Sequence, residues 1–233
     1  MTPKIIAHRG VTRNDQENTL PAFHKAFSEG ADGLEIDVRL SKDEKPIIFH
    51  DEDTSRLFKK SLEIKKTNFS ELEALGNSEN RIPLLDEVLD FLPQNKECFI
   101  EIKSDANTVP FLDKLRIEKK NVTFLSFDKN VVSALKKRVP NKLAFQSFHT
   151  LQIERYGIKK ILEFYKKGNS DGLSIDVTDL SNKTIDRLLE KKIDLIIWTL
   201  NSIRRLRELS KKNIRAIITD EVKDFADFLK RKK

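Results

Sequence analysis

Apolar segments with strand-like spacing alternate with amphipathic, helix-like segments along nearly all of the 233 residues. Eight such strand–helix units can be counted, and alternation of this kind predicts an α/β fold built on a parallel sheet. Eight units in about 230 residues is the size of a (β/α)8 TIM barrel, in which the strands close inside a ring of helices. We therefore predict a single-domain (β/α)8 TIM barrel over residues 1–233. A doubly wound open sheet is the second candidate, although no glycine-rich phosphate loop follows the first strand.

The predicted elements alternate in strict order, with one interruption. The strands are KIIAHRG, GLEIDVRL, CFIEIK, VTFLSF, KLAFQSF, DGLSIDV, DLIIWTL and IRAIITD. The helices are NTLPAFHKAFSEG, LLDEVLDFL, VPFLDKLRIEKK, KNVVSALKKRV, RYGIKKILEFYKK, NKTIDRLLEKK, SIRRLRELSKK and VKDFADFLKRK. After the second strand come an extra apolar run, PIIFHD, and a polar insertion at about residues 51–82. A short helix is predicted inside this insertion, near SELEALG, with Ser70 as its N-cap.

The composition restricts the possible partners. Charged residues make up 35% of the chain and the formal net charge is +7, which favours anionic partners. Much of this charge lies in Lys-Lys pairs on predicted helix surfaces, and no element interleaves basic with aromatic residues, so nucleic acid is not an expected partner. No apolar run approaches the roughly 20 residues of a membrane helix, so stable membrane insertion is not expected.

The cysteine content and the N-terminal residues predict a compartment. The single Cys98 excludes an intramolecular disulfide and suits a reducing environment. It falls within a predicted strand, where buried packing is a more natural role than that of a nucleophile. The first residues lead directly into the first strand, without a signal-peptide hydrophobic region. We therefore expect a cytoplasmic location, and the sequence indicates no particular oligomeric state.

The stretch from Gly33 to Asp53 carries the first chemical signal. Apolar and charged residues alternate along its first strand, so Glu35 and Asp37 face the same side. Two such carboxylates repel each other, and burying them is costly unless a cation lies between them. One interpretation is therefore a site for a divalent cation that prefers oxygen ligands, Mg²⁺ or Ca²⁺. The other interpretation is an edge strand with a solvated acidic face.

In a TIM barrel the active site lies at the carboxyl ends of the strands. Ionisable residues at those ends are His8, Arg9, Glu35, Asp37, His50, Glu101 and Lys103, and other polar or aromatic residues further round are Ser126, Gln146, Asp176, Trp198 and Asp220. Three carboxylates can hold one divalent cation, and the arginine and lysine add positive charge that suits a phosphate. Two histidines, which titrate near neutral pH, can serve as general base and general acid. The combination indicates phosphodiester cleavage.

Several motifs resemble the glycerophosphodiester phosphodiesterase family. They occur in the family's order along nearly the whole chain: IAHRG, ENTLPAF, GADGLEIDVRLSKDEKPIIFHDED, IPLLDEVLDFL, FIEIK, LSFD, IIWTLN and AIITD. The resemblance implies a barrel and a metal-dependent hydrolase that releases an alcohol and glycerol 3-phosphate. The expected partner is accordingly a small-molecule glycerophosphodiester.

The resemblance also implies a role for each residue that matches a family motif. The implied roles are His8 and His50 as the acid–base pair; Glu35, Asp37 and Glu101 as metal ligands; Arg9 and Lys103 as phosphate contacts; Glu17 and Asn18 as supports of Arg9 and the first loop; and Trp198 as a wall of the substrate pocket. For Trp198, plain core packing is the alternative role.

The segment after the HD motif departs from the family pattern and leaves the substrate open. The family carries a threonine- and glycine-rich segment there, whereas this chain reads SRLFKKSLEIKKTNFSELEAL. A lysophospholipase D-like activity on the same site is the close alternative. It needs an acyl channel, for which Phe58 and Phe69 are the candidate residues. A non-catalytic phosphodiester-binding barrel is the third possibility, disfavoured because every catalytic position is present.

Two strands echo each other in sequence. DGLEIDVRL begins at Asp32 and DGLSIDVTDL begins at Asp171, on the second and sixth predicted strands, which lie opposite each other in an eight-stranded barrel. Ser174 occupies the place of Glu35, so the second copy cannot build the same pair of carboxylates. We interpret the echo as similar strand chemistry rather than as a duplication.

Overall fold

The computed structural model describes residues 2–104, 109–111, 117, 120–178 and 180–231. The strands are β1 Lys4–His8, β2 Gly33–Leu40, β3 Pro46–Ile48, β4 Glu97–Ile102, β5 Asn121–Ser126, β6 Leu143–Phe148, β7 Gly172–Asp176, β8 Asp194–Trp198 and β9 Ala216–Thr219. All except β3 pair in parallel, in the order β1-β9-β8-β7-β6-β5-β4-β2, and β1 also pairs with β2, which closes the ring. The short β3 runs antiparallel to β2 outside the ring. The predicted TIM barrel is confirmed, and the open sheet is wrong.

The helices follow the predicted alternation. They are α1 Leu20–Ser28, α2 Phe69–Glu73, α3 Leu85–Phe91, α4 Lys129–Arg138, α5 Thr150–Lys167, α6 Asn182–Glu190, α7 Ile203–Leu209 and α8 Val222–Lys230. The helix predicted at residues 109–120 lies largely outside the described residues. The predicted cap is wrong, because Asn68 precedes α2 and Ser70 lies inside it. The α5 helix begins earlier than predicted, and Gly157, with φ of 71°, interrupts its helical geometry.

Apolar side chains fill the barrel below the polar ones. This interior cluster consists of Ile6, Phe99, Leu125, Phe145, Ile196, Ala216 and Ile218. Side chains two apart on a strand share a face, so His8 follows Ile6 and Glu101 follows Phe99 toward the interior. The polar residues therefore stand at the carboxyl ends of the strands, above a packed floor. Cys98 points to the other face of β4 and is fully buried between barrel and helices, where burial raises the pKa of its thiol.

The start of α1 determines the path of the loop between β1 and α1. Thr19 is the N-cap of α1, and its side-chain oxygen accepts a hydrogen bond from the backbone of Ala22. Phe23 buries the inner face of the helix. Asn18, the residue before Thr19, therefore lies close to the end of β1. Its backbone N–H donates to the carbonyl of Arg9 at 2.9 Å.

The polar segment predicted at residues 51–82 lies between β3 and α3. It packs around an apolar cluster of its own, which contains Ile47, Phe49, Phe58, Ile64, Leu72 and Ile82. The rings of Phe58 and Phe49 stack with centroids 6.3 Å apart, and Phe69 packs against the same cluster. Their packing there leaves no support for an acyl channel built from Phe58 and Phe69. Among the described residues, no helix has the length and apolarity to cross a membrane.

Candidate active site

Three carboxylates meet at the carboxyl ends of β2 and β4. Glu35 and Asp37 lie two apart on β2, and Glu101 of β4 is in register with Asp37. One oxygen of each residue lies within 4.8 Å of the other two. Glu35 and Asp37 are only 3% and 0% exposed, which excludes the solvated edge strand. The side chains that alternation placed on one face therefore form a buried acidic cluster.

Two cations lie against these carboxylates. Lys103 Nζ is 3.1 Å from Asp37 Oδ1 and 2.7 Å from Glu101 Oε1. Arg9 Nε is 3.0 Å from Asp37 Oδ2, and Asn18 Nδ2 donates to that same oxygen at 2.9 Å. Asp37 is thus neutralised from two sides. In contrast, Oε2 of Glu35 is buried and has no hydrogen-bond partner among the described residues.

This unequal neutralisation separates the pKa values of the two β2 carboxylates. Burial and the charge of Asp37 raise the pKa of Glu35 to about 8. Burial would also raise the pKa of Asp37, but the charges of Lys103, Arg9 and His50 and the hydrogen bond from Asn18 together lower it. A divalent cation fits this cluster, because it would replace the proton on Glu35 and use an oxygen that otherwise has no partner.

His8, at the end of β1, is held by a carboxylate that follows β9. Its Nδ1 lies 2.8 Å from Asp220 Oδ1, and Asp220 Oδ2 accepts from Asn201 Nδ2 at 2.7 Å. An ionised Asp220 can only accept, so Nδ1 of His8 donates and Nε2 is left for the cavity. Burial by itself would lower the pKa of His8, but the hydrogen bond to Asp220 and the charge of Glu35 raise it overall.

His50, two residues after β3, has a carboxylate of its own. Its Nδ1 lies 2.7 Å from Asp51 Oδ1, and Arg56 Nε donates to Asp51 Oδ2 at 2.5 Å. The fork of Arg56 makes two further hydrogen bonds, of 2.6 and 3.0 Å, to Glu17. Burial and the charges of Lys103 and Arg9 lower the pKa of His50 overall, although the charge of Asp37 and the hydrogen bond to Asp51 raise it.

Side-chain and backbone constraints together hold Arg9. Its Nη1 donates to Glu17 Oε1 at 3.1 Å. Arg9 and Asn18 both have left-handed backbones, with φ of 56° and 58°, a conformation that costs about 1–3 kcal/mol for a non-glycine residue. Gly10 has φ of 90°, and a Cβ there would lie 2.7 Å from Ala22. The HRG and ENT motifs therefore form one strained, tightly packed loop that aims Arg9 at Asp37.

Most of the ionisable side chains described above line one side of a cavity of about 270 Å³. The charged side consists of His8, Arg9, Glu35, His50, Glu101 and Lys103, and the opposite side consists of Leu125, Phe127, Ser147, His149, Ser174, Trp198 and Ile218. The rings of Phe127, His149 and Trp198 contact one another, with centroids 4.6 to 5.6 Å apart. The cavity thus has a charged half and a largely apolar half. A neighbouring cavity of about 350 Å³ shares Lys103 and is bordered by the insertion.

Residues predicted on the rim divide into those at the cavity and those that brace it. Trp198 lines the cavity, Asp37 lies beneath it, and Asp220 supports His8. Ser126 and Gln146 instead donate to neighbouring backbone carbonyls. Asp176 does not line the cavity: its Oδ1 accepts hydrogen bonds from the backbone and side chain of Thr178, and its Oδ2 lies 3.9 Å from Nδ1 of His149, which does line it.

Sequence reasoning missed two features of the site. Phe127 and His149 each follow a barrel strand by one residue. Period-two alternation from the interior residues Leu125 and Phe145 could have placed both rings at the same edge of the barrel. Arg56 and its contact to Asp51 carried no comparable signal, because the loop has no hydrophobic periodicity.

A sequence model of the glycerophosphoryl diester phosphodiesterase family matches residues 8–224. The chain belongs to this family. A glycerophosphodiester phosphodiesterase of Caldanaerobacter subterraneus subsp. tengcongensis is 26% identical over 237 residues, covering 95% of each chain. A human lysophospholipase D is 26% identical over 271 residues, covering 97% of this chain and 86% of the human one. The crystal structure of a Thermotoga maritima glycerophosphodiester phosphodiesterase is 30% identical, with a TM-score of 0.80 over 98% of this chain and 99% of that one.

The family assignment made from the motifs is therefore confirmed. The family match begins at His8 and extends beyond Asp220, so it includes both histidines, the three carboxylates and the two cations of the cavity. The roles of these residues in a phosphodiesterase reaction remain predictions.

The raised pKa of Glu35 predicts how the stability of the chelated protein depends on pH. Protonated Glu35 favours folding, so its contribution is complete below the ordinary pKa of 4.5 and is lost as the pH rises through about 8. We expect the melting temperature measured in a chelator to fall over that range, and Mg²⁺ to reduce the fall. In Glu35→Gln this fall of the melting temperature with pH should be absent, whereas the exposed control Glu71→Gln should show the same fall as the parent. Identical pH profiles for Glu35→Gln and the parent would contradict the assignment.

Proposed function

We propose that this phosphodiesterase hydrolyses glycerophosphodiesters to an alcohol and glycerol 3-phosphate, that it requires a divalent cation, and that His8 and His50 transfer the protons. The observation that supports this most strongly is the arrangement of two carboxylate-backed histidines around one cluster of three carboxylates. Membership of the family supports the reaction type. A non-catalytic barrel would have no need for either histidine–carboxylate pair.

Arg9 and Lys103 bind and orient the phosphodiester. Burial would lower the pKa of Lys103, but the charges of Asp37 and Glu101 raise it overall, so the ammonium group stays charged at neutral pH. An arginine and a lysine at one edge of a cavity attract an anionic phosphodiester and fix the orientation of its oxygens. The neutralising contacts to Asp37 keep both cations in place before substrate arrives.

Glu35, Asp37 and Glu101 would hold the divalent cation, Mg²⁺ or Ca²⁺. When bound, it supplies polarisation of an oxygen ligand and stabilisation of negative charge. The protein's own contribution is the dry, buried cluster that brings these three oxygen ligands together.

The two histidines favour different protonation states. The pKa of His8 is raised and that of His50 is lowered, so protonated His8 and neutral His50 are the favoured starting pair. Nε2 of His50 then accepts the proton of the attacking hydroxyl, and Nε2 of His8 donates one to the leaving oxygen. If the attacking group is the neighbouring hydroxyl of the substrate's glycerol, a cyclic phosphate forms and water opens it with the histidine roles reversed. If the attacking group is water, the products form in one step.

Lysophospholipase D-like activity is the second candidate for the same site. It is favoured by the likeness to the human lysophospholipase D and by the apolar half of the cavity. It is disfavoured because Phe58, a candidate residue for the acyl channel that this activity needs, is buried in the apolar cluster of the insertion. We therefore expect small glycerophosphodiesters to be better substrates than lysophospholipids.

The proposed function predicts the outcome of one release assay. Glycerophosphocholine, glycerophosphoethanolamine and glycerophosphoinositol should yield glycerol 3-phosphate with Mg²⁺ or Ca²⁺ and none after chelation, and a lysophospholipid should be cleaved more slowly. A 2-deoxyglycerol diester decides between the nucleophiles, because only the cyclic route needs the neighbouring hydroxyl. No release from any diester with either metal would overturn the proposal, and faster cleavage of the lysophospholipid would favour the second candidate.

Removal of either histidine should reduce turnover far more than binding. We expect His8→Ala and His50→Ala each to lower kcat by about 10²–10⁴-fold with a small change in KM, because each removes a proton-transfer group. His24→Ala is the matched control: His24 is exposed on α1, packs on Phe91, and should leave kcat unchanged. Near-normal kcat in either active-site variant would assign that histidine a structural role.

A further inference from the structure

Ser174 has a hydroxyl that the proposed reaction leaves unused. The residue is 1% exposed and lines the wall of the cavity opposite the charged half. Its Oγ is buried and has no hydrogen-bond partner among the described residues. A buried polar group without a partner destabilises the folded state, so such groups are rare in proteins unless they serve a function.

The position of Ser174 mirrors that of Glu35. The echoed segments DGLEIDV and DGLSIDV align the two residues, and β2 and β7 lie four strands apart in the ring of eight. The alternate strands β2, β5, β7 and β9 contribute Glu35, Leu125, Ser174 and Ile218 to the cavity, which is how one layer of a barrel interior is built. Ser174 therefore faces the carboxylate cluster from the far side of that layer.

A second hydroxyl lies beside it. Ser147 of β6 is the register partner of Ser174, is 2% exposed and lines the same cavity. The other residues of this wall are His149 and the apolar or aromatic Leu125, Phe127, Trp198 and Ile218. The two serines thus form one uncharged polar spot, which suits a neutral hydroxyl. A phosphate is drawn instead to the cations of the opposite wall.

We propose that Ser174, with Ser147 beside it, binds the terminal free hydroxyl of the substrate's glycerol unit. This inference rests on the proposed function. Arg9 and Lys103 hold the phosphate at the charged wall, so the attached glycerol extends across the cavity toward the serines. The leaving alcohol must depart through the mouth, whereas a deeply buried spot suits the part that every substrate shares. The serine pair therefore selects for glycerol, because an analogue without that hydroxyl leaves the buried serine unpaired.

The test compares two ligands by titration calorimetry in saturating Mg²⁺. The ligands are sn-glycerol 3-phosphate and 2-hydroxypropyl phosphate, which lacks only the terminal hydroxyl. We expect the parent to bind the first about 3- to 10-fold more tightly, the effect of one net hydrogen bond. Ser174→Ala should lose this preference and melt no earlier than the parent, because it loses no hydrogen bond within the protein.

Ser126→Ala is the matched control, since Ser126 is also a buried serine at the end of a barrel strand. Its Oγ donates to the carbonyl of Ile102 and accepts from the backbone of Asp128, so the variant should melt earlier and keep the parent's ligand preference. Equal affinity of the parent for the two ligands, or an undiminished preference in Ser174→Ala, would overturn the inference while glycerophosphodiester hydrolysis stands. A parent that binds neither ligand and cleaves no diester would overturn the proposed function as well.

Discussion

The burial of three carboxylates within 4.8 Å of one another is the constraint on which the rest of the site depends. Such a cluster is stable only when positive charge surrounds it, because both desolvation and mutual repulsion oppose ionisation. Lys103 and Arg9 neutralise Asp37, and the ENT loop holds Arg9 through Glu17. Burial leaves the pKa values of both Glu35 and Glu101 raised, and a divalent cation is the natural partner for the unpaired oxygen of Glu35.

The barrel explains why these groups meet although they are distant in sequence. On β1 and β4 an apolar side chain in the lower interior is followed two residues later by an ionisable one, as Ile6 is by His8 and Phe99 by Glu101, so the ionisable ends converge on one rim. The floor beneath them is packed with residues such as Phe99 and Phe145. That floor excludes water from below, which strengthens the electrostatic interactions of the cluster. Function at this rim is therefore a consequence of strand register and of where each strand ends.

Much of the fold followed from pattern alone. Period-two alternation on β2 and the strand–helix order both depend on local spacing, so the barrel and the shared face of Glu35 and Asp37 could be predicted. The cap of α2 was mispredicted because the helix begins at Phe69, so Asn68 holds the cap position, although its side chain makes no capping hydrogen bond. The start of α5 was predicted at Arg155 rather than at Thr150, because Leu151 and Ile153 lie two apart, a spacing that does not indicate a helix.

The supports of the site were harder to predict than its ionisable residues. Arg56 reaches Asp51 and Glu17 from a loop whose path is set by the insertion's own apolar cluster, a tertiary property with no local signature. The depth of Asp37 was likewise hidden from the sequence. Asp37 pairs with both Arg9 and Lys103, whereas Glu101 pairs with Lys103. Removing Asp37 would therefore weaken the restraint on both cations as well as the metal site, so Glu101→Gln is the better probe of the metal site.

The most direct test of the account is to measure cation binding and hydrolysis on the same sample. Chelated protein would be titrated with Mn²⁺, with bound ion followed by electron paramagnetic resonance and glycerophosphocholine cleavage followed in parallel, for the parent and for Glu101→Gln. The account predicts one tightly bound ion, cleavage that rises in proportion to its occupancy, and a joint loss of both in the variant. Full hydrolysis by the exhaustively chelated parent would contradict it.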